Sequence, residues 1–209
     1  MDKAIKINSL KLALAMALLV GSAGAQAGLK EGVYAFHRGN YSVALKELSP
    51  LAEKGDVEAQ LILGDIYSGV RGIPQDQAKA ASWYRKAAKQ GSAPAQTLLG
   101  VMYESGIGVP QDDKEAISLY YKAAEQGFAE AQYNLGGIYE RGLGIVVQAD
   151  LVQAHKWFNL ATTAGFEAAR DNMEEIETKM SNEQIEAARS MAKEWLATHK
   201  LPAHSGPLK

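Results

Sequence analysis

The sequence predicts an all-α protein, an α-α superhelix (solenoid) built from stacked helix pairs. Three observations carry that prediction. Gly64, Tyr67, Pro74, Asp76, Ala80, Ala87 and Gly91 recur as Gly100, Tyr103, Pro110, Asp112, Ala116, Ala123 and Gly127, each 36 residues on. Each block holds two runs of apolar residues at helical spacing. Each run is bounded by cap-type residues, with Asp at the start of the second run and Gly at its end. A fixed period of this length marks an array in which each unit buries its apolar face against the next.

The first 27 residues stand apart. Lys3, Lys6 and Lys11 precede the apolar run Leu12–Val20, and the small-residue stretch "GSAGAQAG" follows. This is the pattern of a cleavable signal peptide, with cleavage expected after Ala25 or Ala27. The apolar run is shorter than the roughly 20 residues that span a bilayer. Loss of Asp2 and three lysines takes the 22 basic and 24 acidic residues to 19 and 23, so the expected mature chain is mildly acidic. Periplasmic or secreted localisation follows, with no stable membrane insertion after cleavage. The chain has no cysteine, which excludes disulfides and thiolate metal sites. The near balance of charge argues against a nucleic-acid partner.

The repeat domain is expected over residues 28–199 in units of about 28–55, 56–91, 92–127 and 128–165, with a capping pair at 166–199 and a flexible tail at 200–209. The first unit, "GVYAFHRGNYSVALKELSPLAEKG", has only Arg38-Gly39-Asn40 between its helices. The next three units carry a long glycine loop. In the third of these, Gly136, Tyr139 and Gly144 keep the 36-residue offset, but Ala154 and Gly165 stand 38 after Ala116 and Gly127. Two residues are therefore inserted between Ile145 and Asp150. The first helix of each unit contains a glycine (Gly64, Gly100, Gly136), which costs about 1 kcal/mol relative to alanine. The expectation is that it admits the partner helix at Ala80, Ala116 and Ala154. In the last pair, Ser181 with Gln184 forms a capping-box pattern. Ile185, Ala188, Ala192 and Trp195 make an apolar stripe backed by Glu183, Glu186, Arg189 and Lys193, the polar back that a terminal unit needs.

The loop "ESGIGVPQDDKEA" (Glu104–Ala116) resembles a phosphate cradle, because glycines feed a helix N-terminus. The same loop recurs near 68–76 and 140–150, with no phosphate-binding lysine and hydroxyl pair after it. Gly106 is therefore read as a helix stop, Gly108 as a reversal, and Asp112 as the cap that fills the anion position itself.

The run A-x-x-x-L-G-x-x-Y-x-x-G-x-G-V-P-Q-D, followed by A-x-x-W/L-Y-x-x-A-A-x-x-G, resembles the Sel-1-like repeat, a relative of the tetratricopeptide repeat. The stretch "GVYAFHRGNYSVAL" resembles the short-loop tetratricopeptide form. The resemblance covers about Gly28–His199. It departs at Gly69-Val70, where the helix-ending glycine falls one residue early, and at Val146-Val147, where proline is usual. It implies a right-handed superhelix of helix pairs that serves as a protein-interaction scaffold. Some cysteine-rich exported members are linked to β-lactams, a precedent that a cysteine-free chain does not inherit.

No His-Glu-x-x-His, Gly-x-Ser-x-Gly or Walker-type motif occurs after residue 27, so no catalytic, cofactor or metal residues are nominated. His37, His155, His199 and His204 are read as packing or solvent residues, Asp112-Asp113 as a helix N-terminus, and Glu174, Glu175 and Glu177 as a solvated face. The expected function is that of a non-enzymatic, exported scaffold for a protein or peptide partner. The alternatives are a periplasmic hydrolase or ligand-binding protein acting on cell-wall material, or a secreted factor engaging a host protein.

If the first helices line the inner surface, partner-facing residues are Glu58, Leu61 and Asp65, then Thr97, Val101 and Glu104, then Glu130, Tyr133 and Glu140. Ser68, Pro94 and Gly137 share those faces. Leu61, Val101 and Tyr133 would offer apolar contact inside a ring of acids without lysine or arginine, which predicts a basic peptide segment as ligand.

Overall fold

The computed structural model describes residues 26–69, 72–143 and 146–199. The signal-peptide residues before 26, the tail and His204 lie outside the described residues. Ten helices are described: α1 over 26–37, α2 Tyr41–Glu53, α3 Val57–Gly69, α4 Gln77–Lys89, α5 Ala93–Ser105, α6 Asp113–Ala124, α7 Ala129–Arg141, α8 Leu151–Thr163, α9 Ala168–Glu177 and α10 Asn182–Thr198. No described helix is long and apolar enough to cross a membrane. The chain divides into two compact units, one ending at Asp76 and one beginning at Gln77.

In the first unit, Gly39 takes φ 73° between α1 and α2, and Asn40 accepts the Val43 N–H at 3.5 Å as the cap of α2. Gly32 lets α1 close on α2, since a Cβ there would stand 2.5 Å from Leu48. Ala44, Leu48, Ala59, Leu63 and Ile66 are buried as the core of this unit.

In the second unit α5 packs on α6, α7 on α8, and α8 on both α9 and α10. The helix glycines Gly100 and Gly136 admit the partner helix, and the atoms that come nearest are those of an aromatic ring. A Cβ on Gly100 would lie 2.7 Å from the Tyr120 ring, and one on Gly136 would lie 2.5 Å from the Phe158 ring. Ala116 and Ala154 are also fully buried. The aromatic one helical turn further on is the group that needs the missing side chain, because a ring edge against backbone tolerates no added carbon.

Two hydrogen bonds recur at equivalent positions of the repeats. The N–H groups of Asp76, Asp112 and Asp150 donate to the carbonyls of Tyr67, Tyr103 and Tyr139 at 2.8, 3.0 and 2.7 Å. The loop thus closes on the same carbonyl in all three blocks. The third loop absorbs its extra residues beside an antiparallel bridge between Leu143 and Val147. Gln60, Gln96 and Gln132 donate their side-chain amides to the carbonyls of Ala52, Ala88 and Ala124 at 2.9, 3.2 and 3.2 Å. A buried amide is worth keeping where it satisfies a helix-terminal carbonyl.

The loop Glu104–Ala116 is architectural. Gly106 is the left-handed stop of α5 at φ 66°, Gly108 takes φ 71°, and Asp112 accepts the Glu115 N–H at 3.0 Å. At the end of the unit, Ser181 and Gln184 form both halves of a capping box. Ala188, Ala192 and Trp195 are buried, while Glu183, Glu186, Arg189 and Lys193 are exposed. The glutamates of α9 do not form a uniformly solvated face. His155, fully buried, places Nε2 at 2.7 Å from Glu177, which also pairs with Arg189 at 3.2 Å. The His155 hydrogen bond, with Arg189 adding to it, holds the Glu177 carboxyl below the usual range. His199 sits at the end of α10, its ring stacked on Trp195 at 4.1 Å and its Nε2 2.9 Å from Glu125. His37 is exposed on α1.

Candidate docking groove on α5 and α7

The helices α5 and α7 occupy equivalent places in successive repeats, so residues at matching positions fall side by side. Pro94, Thr97, Leu98 and Val101 from α5 meet Glu130, Tyr133 and Asn134 from α7 across an open groove of about 300 Å³. Phe128, just before α7, and Phe166, in the turn before α9, complete it. Tyr133 is wedged between two rings, with centroids 5.7 Å from Phe158 and 5.0 Å from Phe166. Thr97 is buried and donates its hydroxyl to the Ala93 carbonyl at 2.9 Å. Val101 is 41% exposed, an apolar side chain in water beside an aromatic floor.

A smaller polar pocket of about 70 Å³ adjoins it, lined by Glu104, Tyr133, Asn134, Gly137, Arg141 and Asn172. Tyr133 and Asn134 belong to both cavities.

Of the sequence-predicted residues, Thr97, Val101, Glu130 and Tyr133 thus line one groove, and Glu104 lines the pocket next to it. Glu58, Leu61 and Asp65 lie on α3 in the first unit, where Glu58 is exposed and the other two are half-buried. Glu140 is half-buried on α7 and adds a minor attraction to Lys179, whose ammonium is stabilised chiefly by its hydrogen bond to Glu175.

Two expectations need correction. The surface is not free of basic groups, because Arg141 enters the polar pocket. Its side chain runs back one turn along α7, as long helical side chains do, and lies over Gly137, where a Cβ would stand 3.0 Å from its Nη1. Counting inward positions by Cα alone could not find it. Glu104 is also not simply an open acid. It accepts the Tyr120 hydroxyl at 2.7 Å, and burial together with that bond pushes the Tyr120 phenol far above its usual range.

Other lining residues were missed for different reasons. Phe128 and Phe166 lie in turns, outside the helical periodicity. Asn134 did carry a signal: the equivalent positions are Ile62 and Leu98, so an amide stands where the repeat holds an aliphatic. Among the described residues, no group of three or more His, Asp or Glu side chains is arranged to hold a metal ion.

Helix pairs, recurrent loop closures and an open groove on the first helices define a tetratricopeptide-like helical-repeat protein. The chain belongs to the Sel1 repeat family, whose model matches residues 57–92, 93–128 and 129–166. Sel1 repeats typically form scaffolds that bind protein partners. A protective antigen present in uropathogenic Escherichia coli strains, displaying an SLR fold, is similar at 34% identity and a TM-score of 0.69, over 80% of this chain and 38% of that one. A Sel1 repeat protein from Oxalobacter formigenes is similar at 29% identity and a TM-score of 0.68, over 80% of this chain and 51% of its own. The chain therefore spans about half, or less, of the length of these two relatives. No curated protein matches it.

Proposed function

We propose that this chain is an exported, non-enzymatic scaffold whose α5–α7 groove docks a segment of a partner protein. The observation that carries the reading is the open apolar groove of about 300 Å³ floored by Phe128, Tyr133 and Phe166. A soluble repeat that leaves aromatic and aliphatic surface open on its first helices gains by covering it. The partner segment presents a large apolar side chain to this floor and a basic group to Glu130, which forms no ion pair among the described residues. Basic character sits at the Glu130 end, since Arg141 lies at the other. Support for a non-catalytic role is that the largest pKa displacements, at Tyr120 and Tyr121, arise from burial and hydrogen bonding within the helix packing.

Export to the periplasm or beyond rests on the N-terminal lysines, apolar run and small-residue cleavage sites. Release to where a host meets the protein is a second reading. It is favoured by the likeness to a protective antigen of a uropathogen.

The docking reading is tested by chemical crosslinking in cells followed by recovery of the tagged full chain. Val101→Glu and Glu130→Lys are expected to remove the same crosslinked partner that the wild type retains. Retention of that partner by both variants would overturn the reading.

A further inference from the structure

A second cavity, of about 330 Å³, lies in the seam between the second helices α4 and α6. Leu99 and Tyr103 from α5 and Leu119 from α6 floor it. Arg85 and Lys89 from α4 and Lys122 from α6 wall it, with Glu115 as the one acid. Leu99 and Tyr103 stand about half a turn from Val101 around α5, so this seam and the docking groove use opposite faces of that helix.

The next seam, between α6 and α8, holds the matching residues 36 or 38 positions further on. Tyr121 stands for Arg85, Glu125 for Lys89, Trp157 for Leu119 and Leu160 for Lys122. Both seams are tied alike: Arg85 donates to the Tyr103 hydroxyl at 3.0 Å, and the Tyr121 and Tyr139 hydroxyls share a hydrogen bond. The α6–α8 seam, however, is covered. Helix α10 packs on α8, and its Trp195 joins one apolar cluster with Tyr121, Tyr139, Trp157 and Leu160. Trp195 Nε1 donates to Glu125 at 3.4 Å, and His199 Nε2 stands 2.9 Å from the same carboxylate. The molecule thus shows what closes such a seam: an amphipathic helix that brings an aromatic ring to the apolar part and a polar group to the charge at its end.

The α4–α6 seam differs at the same places. Leucine at 119 leaves open the space that the buried Trp157 ring takes in its neighbour, above a floor that is itself buried (Leu99 2%, Leu119 5%). The charge is reversed, since Lys89 stands where Glu125 receives α10 and Lys122 stands where Leu160 is buried. Neither lysine forms an ion pair among the described residues. A covering helix here must carry acids where α10 carries His199, because complementary charge selects the partner.

We infer that the α4–α6 seam docks an acidic amphipathic helix of a partner protein, which inserts an aromatic side chain above Leu99 and Leu119 and sets carboxylates against Lys89 and Lys122. This is a second surface, independent of the α5–α7 groove and opposite to it in the charge it selects.

A displayed library of amphipathic helical peptides as long as α10 (17 residues), selected on the full chain, supplies the probe. The best binder is resynthesised, and its affinity is measured for wild type, Lys89→Glu, Leu119→Trp and Val101→Glu, each checked for an unchanged helical melt. Lys89→Glu and Leu119→Trp install the residues that the next seam already carries at those positions. The expected binder has acids and an aromatic on one face and weakens as salt rises. It binds both seam variants at least roughly tenfold more weakly than wild type and Val101→Glu as well as wild type. Exchanging its acids for lysines is expected to shift its preference from wild type to Lys89→Glu. A selection that yields no acidic helix, or an acidic binder that ignores both seam substitutions, overturns the inference. So does equal binding of hexaglutamate, which has no aromatic and would make the seam a site for bare anions. None of these outcomes bears on the α5–α7 groove, which Val101→Glu tests separately.

Discussion

His155 is fully buried on α8, and its Nε2–H donates to Glu177 at 2.7 Å while Arg189 approaches the same oxygen at 3.2 Å. The sequence left His155 open as a packing or a solvent residue, and its partner was not legible. Glu177 lies 22 residues away, and only the packing of α9 on α8 brings them together. Because its pKa is lowered in the folded state, Glu177 contributes stability that is present above its unfolded pKa and is lost as the pH falls through the folded value. The groups facing it are His155 from α8 and Arg189 from α10, with Glu186 sharing Arg189 at 3.0 Å. Glu177→Gln is accordingly expected to lower the thermal midpoint at neutral pH, with the gap from wild type closing as the pH drops below about 4.5, the ordinary carboxylate range. Parallel melts between pH 3 and 7 check this. A gap that persists unchanged at the acid end would count against the pairing.

At the level of the helices, period and caps were readable because they depend on neighbours in sequence. Gly106, Asp112, Asp150 and the Ser181–Gln184 box all act within a turn of themselves. Which side chain comes nearest to Gly100 and Gly136 was less readable, because alanine and an aromatic both recur in the second helix and only packing puts the ring closest. Gly136→Ala sets two effects against each other. Helix propensity favours alanine by about 1 kcal/mol, but a Cβ 2.5 Å from the Phe158 ring forces a repacking that costs about 1–3 kcal/mol. The net expectation is destabilisation in a denaturant titration, partly rescued by Phe158→Leu on the same chain. A more stable Gly136→Ala variant would show that α8 moves aside freely. Asp112→Ala removes the acceptor of the Glu115 N–H and is expected to cost about 1 kcal/mol by the same titration.

For the molecule as a whole, the repeat nominated a candidate surface before any geometry was known, because the first-helix positions 97, 101, 130 and 133 fall on one face of the array, and the structure brings these four to one groove. The residues that complete the groove and the polar pocket beside it were hidden by their mode of construction. Phe128 and Phe166 come from turns, Asn172 from the capping pair, and Arg141 from a helix end reached only by leaning back over Gly137. Export is a separate prediction at this scale. Fractionation of cells expressing the full chain is expected to place a shortened form, starting at Gln26 or Gly28, outside the cytoplasm, and a full-length cytoplasmic product would contradict it. The most direct measurement of the central claim uses a photo-crosslinking amino acid placed singly at Val101 in the groove or at Ile107 in the loop, two apolar positions of similar exposure (41% and 45%). The account predicts a discrete protein adduct in living cells from position 101, absent from 107 and lost when Tyr133→Ala is added. Equal labelling from both positions, or an adduct from 101 that survives Tyr133→Ala, would contradict it.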